Sequence, residues 1–262
     1  MQGATVLENA LRRDRAIVLV GLALVAALAW AYLVYLAWGV QQPVGMSMSQ
    51  VRLWNPIDFG INFIMWAVMM TAMMLPSAAP LIMLVIGTYR RRGERARLLT
   101  LAFGSGYLIA WTAFSAAAAL LQFALHRAAL LSPSMAATSA LAGGAIFVAA
   151  GVYQWLPVKA ACLMHCRSPL AFLGSHWRQG AGGALAMGLH HGLFCIGCCW
   201  TLMLLLFAAG VMNLFWVGVI AAFVLVEKIA RGGARIGRIA GVLLAAWGLW
   251  IMAGTYIGRH LR

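Results

Sequence analysis

Long apolar runs separated by short, arginine-bearing breaks set the pattern of this chain. Seven runs can be marked, at 16–40, 58–88, 98–125, 135–156, 181–209, 212–230 and 236–257. Each is close to or above the roughly 20 residues an α-helix needs to cross about 30 Å of hydrocarbon. The pattern predicts an all-α, polytopic transmembrane helix bundle of about seven spans in a lipid bilayer. The boundary at Val211-Met212-Asn213 leaves little chain for a turn, so six spans with a re-entrant segment there is the alternative. No internal repeat or low-complexity linker divides the sequence, and residues 1–262 read as a single integral membrane domain.

The breaks carry the orientation. With the N-terminus inside, 15 basic residues fall on inner segments, and four (Arg52, Arg127, Arg259 and Arg262) fall outside. Lysine and arginine concentrate on the inner side of membrane proteins, so the expected topology is N-in and C-out. The first run imitates a secretory signal, with Ala27-Leu28-Ala29 resembling a cleavage site. It continues apolar to Trp38, however, and reads as a span. A composition of 64% apolar and 9% charged residues excludes an ordinary soluble domain. The net charge of +14 does not indicate nucleic acid, because the basic residues sit in short clusters between apolar runs and form no continuous stripe.

The candidate chemistry is soft. In the second run, Met65, Met69 and Met73 share one helical face at about 100° per residue, with Met70 and Met74 on a neighbouring stripe. Thioethers can hold Cu(I) in lipid without burying a charged ligand; they also fill irregular gaps between helices. Pro76 and Pro80 follow and are expected to kink or open the helix. Met46-Ser47-Met48, in the preceding outer loop, is a small thioether pair suited to metal entry.

All five cysteines lie in two later runs. On the fifth helix, Met187, His191, Cys195, Cys198 and Cys199 fall within an arc of roughly 120°, whereas His190 points about 100° away. Gly188, Gly192 and Gly197 flank this stripe and permit close approach of another backbone. Three readings stand: small buried hydrophobes, a redox dithiol at Cys195-Ile196-Gly197-Cys198, and a metal site. Buried thiols and imidazoles in lipid favour the metal site. The inner loop before this helix adds Cys162, His165 and Cys166, either completing the same site or forming a docking point. Only five acidic residues occur, so hard cations find few oxygen ligands. Cu(I) accepts Cys, His and Met together and ranks first; zinc ranks second. Glu227-Lys228 is expected to be a neighbouring ion pair at the interface, with a loop arginine or a proton path as alternatives for Glu227.

The block Met69-Met70-Thr71-Ala72-Met73-Met74-Leu75-Pro76-Ser77-Ala78-Ala79-Pro80 resembles a bacterial family described as predicted metal-binding integral membrane proteins. So do Gly151 through Lys159 with Cys162 and Cys166-Arg167-Ser168-Pro169, and the block from His191 through Trp200. Gly210 to Asn213 and Glu227-Lys228 also fit, and the resemblance covers about residues 58–230. It implies a multi-pass protein of the bacterial inner (plasma) membrane that binds metal; it supplies no activity.

The leading expectation is therefore a membrane protein that handles Cu(I), for transport or for delivery to a copper-protein partner. A second is an accessory subunit of a respiratory, photosynthetic or oxygenase complex with a structural metal. A third is a membrane thiol oxidoreductase. Hydrolytic chemistry has no basis here, because paired carboxylates and an activated serine are both missing.

Overall fold

A backbone in hydrocarbon must satisfy its N–H and C=O groups within its own segment, and the apolar runs accordingly fold as helices. The computed structural model describes residues 2–41, 56–128, 139–211 and 213–260. Its elements are α1 (Gln2–Gln41), α2 (Pro56–Arg91), α3 (Ala96–Arg127), α4 (Ala140–Tyr153), α5 (Pro157–Arg167), α6 (Pro169–His176), α7 (Gly180–Ala209), α8 (Leu214–Ile229) and α9 (Gly233–His260). No strand occurs among the described residues.

Among the described residues, five helices, α1, α2, α3, α7 and α9, are long and apolar enough to cross a membrane. The pair α4 and α5, bent by 65° at their junction, makes a sixth if counted as one span. Of the two expected counts, about seven and six, the described helices fit the six-span one. Helix α8 has 16 residues, about 24 Å at 1.5 Å per residue, and falls short of the hydrocarbon thickness. Gly210, at φ 94°, ends α7 just before it.

Packing centres on α7. Its most extensive partner is α3, and the two backbones come so close that a Cβ on Gly188 would strike the Phe103 carbonyl. Without a hydrophobic force between helices in lipid, such close approach supplies the dispersion that holds them together. Helix α2 packs against α3, and α1 lies outside α2. Trp66 stacks on Phe207 at 5.3 Å between ring centres and donates to Gln122 Oε1 at 2.5 Å. At the arginine-rich end, buried Asp14 of α1 is held by Arg90 at 3.0 Å and Arg97 at 2.9 Å. Helix α9 packs mainly on α4 and leaves Trp247 and Trp250 exposed on its outer side. Helix α2 does not open at Pro76 and Pro80 but continues as one helix through both.

Candidate metal site

The middle of α7 turns three thiols inward. Cys195, Cys198 and Cys199 are all buried, and the second and third donate to the Cys195 carbonyl at 3.0 and 2.9 Å. Helix α5 brings Cys166 Sγ to 4.0 Å from Cys198 Sγ. Helix α2 brings Met74 Sδ to 3.9 Å from Cys199 Sγ. Helix α3 places the Tyr107 hydroxyl 3.1 Å from the Met74 carbonyl and 3.2 Å from Cys195 Sγ. All five cysteines are free thiols.

The fifth contributor is α8, through a lysine. Lys228 is buried, and its Nζ donates to Cys195 Sγ at 2.9 Å and to Ser77 Oγ at 3.1 Å. An ammonium in a membrane interior is costly unless paired, and here its acceptors are a sulfur and a hydroxyl. The expected Glu227–Lys228 pair does not form. Successive helical residues diverge by about 100°, so Glu227 faces the other way and pairs with Lys159 at 2.6 Å. Lys159 also donates to the Gln154 side chain. Arg167, next to Cys166, donates to the carbonyls of Glu227, Ala230 and Arg231 at 3.3, 2.7 and 3.0 Å. It thus satisfies the orphan acceptors at the C-terminus of α8.

The other sequence candidates are placed differently. His191 is buried, with its ring 5.7 Å from Tyr107 and edge-on to Phe172 at 5.2 Å, and among the described residues its Nδ1 has no hydrogen-bond partner. His190, as expected, lies on another face, where Nδ1 donates to the Ala186 carbonyl at 3.0 Å. His165 stacks on Phe194 with ring centres 4.1 Å apart. Cys162 is half-buried against Gly197, where a Cβ would come within 2.7 Å of its sulfur. The Gly197 carbonyl accepts from the Tyr153 hydroxyl at 2.5 Å.

Met65 and Met69 line an apolar cleft with Leu33, Leu36, Leu214 and Val217, on the side of α2 toward α1 and α8. Met73 is buried. The methionine that meets the thiols is Met74, on the neighbouring stripe. Met46 and Met48 lie outside the described residues.

Among the described residues, no three His, Cys, Asp or Glu side chains are arranged around a single ion. The arrangement offers sulfur pairs instead. The 4.0 Å separation of Cys166 and Cys198 is slightly under twice a metal–thiolate bond of about 2.3 Å. Tyr107 escaped the sequence reading and Ser77 figured only in the family block, whereas Met74 was placed on a neighbouring stripe and Lys228 was given to Glu227. For Lys228 a signal existed, since neighbouring helical residues cannot face each other.

Residues 63–251 match the family model described as PpoB2, copper chaperone. No curated protein and no solved structure matches the chain.

Proposed function

The chain belongs to the PpoB2 copper chaperone family, and on that premise we propose that it binds Cu(I) at the Cys166–Cys198 sulfur pair and delivers it to a copper enzyme. The observation that carries this reading is the placement of those two sulfurs, from separate helices, 4.0 Å apart inside the bundle. Two thiolates suit a soft monovalent ion. Zinc, which wants four tetrahedral ligands, is served less well. Cys195, Cys199 and Met74 lie around the pair and provide alternative sulfurs for ligand exchange.

Lys228 supports the same reading through charge. Cu(I) held by two thiolates carries one net negative charge, which lipid tolerates only beside a cation. The Lys228 ammonium, 2.9 Å from Cys195 Sγ, neutralises it. Cargo of this kind binds and leaves without a redox step, and no nucleotide-binding loop is needed.

The test is metal content. Full-length protein purified under reducing conditions and loaded with Cu(I) is expected to retain sulfur-ligated copper, and a Cys166→Ser/Cys198→Ser variant is expected to lose it. Equal sulfur-ligated copper in both would overturn the proposal.

A further inference from the structure

Two breaks in helical structure meet at one level of the bundle. Gln154 to Leu156 separate α4 from α5, and Ala230 to Gly232 separate α8 from α9. The start of α9 joins them, since a Cβ on Gly237 would strike Glu227 Oε1 and come within 3.4 Å of Gln154 Oε1. The long helices give that level. Lys228 Nζ meets Ser77 Oγ, and from Ser77 to Arg90 α2 runs about 20 Å at 1.5 Å per residue. Tyr153 donates to the Gly197 carbonyl, about 25 Å along α7 from its start at Gly180. Arg90 belongs to the arginine-rich end, where it and Arg97 hold Asp14. Both breaks therefore lie well inside a hydrocarbon layer of about 30 Å.

The two sides of the bundle differ at this depth. Along α1, the exposed residues Leu24 and Leu28 are apolar, and they stand about 15 and 21 Å from Asp14. On the side of α5 and α9, Arg231, Arg235 and Arg238 are exposed. Irregular backbone and arginine are tolerated at membrane depth only where they are buried in protein or meet water. The turn at Arg231 and Gly232 is exposed, not buried, so it must meet water.

We infer that an aqueous inlet enters from the arginine-rich end beneath α5 and the α8–α9 turn, and that a negatively charged Cu(I)–thiolate complex reaches the thiols through it. Cys162 and Cys166 of α5 are the half-buried thiols, whereas the three of α7 are buried, so α5 offers the first sulfurs such a complex meets. Arginines draw anions and repel free cations, and Cu(I) on two small thiolates is an anion. In the transfer, a bond from copper to a donor thiolate breaks as one to a cysteine sulfur forms. The cysteine proton passes to the departing thiolate, and copper stays Cu(I). The cargo rests on the sulfur-pair reading; the inlet is a property of the fold and stands without copper.

The experiment uses the full chain in sealed membrane vesicles, without copper. A membrane-impermeant anionic methanethiosulfonate is added, and peptide mass spectrometry locates the modified cysteine. Arg95→Cys, at an exposed position between α2 and α3, marks the arginine-rich side. Arg235→Cys is expected to be modified from that side alone, and Leu28→Cys only after detergent is added. Arg231→Cys provides the same readout should Arg235→Cys fold poorly. Absence of modification at both arginine positions in sealed vesicles would overturn the inlet. Modification of Leu28→Cys would overturn it too, by setting the membrane surface at that level. Relative to their rates with a free small thiol, the anionic reagent should modify Arg235→Cys faster than a cationic one of similar size. Equal relative rates would overturn the anionic cargo. The sulfur pair is tested separately, by the copper content of its own cysteine variant.

Discussion

Two lysines are buried a few ångströms inside this bundle, and their surroundings are opposite. Lys159, at the start of α5, finds the Glu227 carboxylate at 2.6 Å and the Gln154 amide oxygen, so its charge is fully answered by oxygen. Lys228, one residue along α8 from that carboxylate, turns away from it toward Cys195 and Ser77. The first lysine closes an ion pair that fastens the α4–α5 bend to α8. The second places a positive charge among thiols, where nothing structural requires one. The lesson is that burial alone does not distinguish a fastening charge from a working one; the partner does.

That contrast can be broken most strongly at Glu227. Glu227→Ala leaves the Lys159 charge buried without its carboxylate, and breaking a buried pair in this way costs about 3–5 kcal/mol. Thermal unfolding in detergent should show that loss. If the variant instead kept full stability, the ion pair would not be a fastening. Lys228→Met is expected to behave in the reverse manner, with stability changed by no more than about 1 kcal/mol, because an apolar side chain of similar volume replaces the charge. Its Cu(I) affinity, measured by chelator competition, should fall about tenfold, equivalent to roughly 1.4 kcal/mol. Lys228→Arg should recover part of that affinity. A Lys228→Met variant with unaltered affinity would remove the distinction between the two lysines.

The smallest effect separates the two methionine faces of α2. Met74→Leu and Met69→Leu are near-isosteric and should each cost under about 1.5 kcal/mol of stability. Only Met74→Leu should weaken copper retention, since Met74 Sδ touches Cys199 whereas Met69 lines an apolar cleft. Equal retention in both would assign all five methionines of this segment to packing.

Much of this was legible before any coordinates. Hydropathy located the long helices, because each span must pay for its backbone hydrogen bonds within a continuous apolar stretch. It left α8 undecided between a seventh span and a shorter segment, and at 16 residues the helix is too short to cross. The three inward thiols of α7 followed from helical spacing, as did the divergence of His190 from His191. Which methionine stripe of α2 would meet them did not. The methionine stripes lie side by side on α2, and only the packed bundle reveals that Met74, not Met65 or Met69, reaches the cysteines. Lys228 was misassigned because its neighbour in sequence carries the opposite charge, although their directions on a helix already argued against pairing.

Arg167 ties the end of α5 to the last carbonyls of α8 through three hydrogen bonds. Cys166 precedes it on one helix, and Lys228 follows Glu227 on the other. The sulfur that would grasp the ion and the charge that would balance it are therefore latched together, while Cys198 belongs to the long, firmly packed α7. A swing of α5 about its 65° elbow that widened the sulfur gap would also pull on the helix end that carries the balancing charge, so that grip and neutrality would be surrendered together.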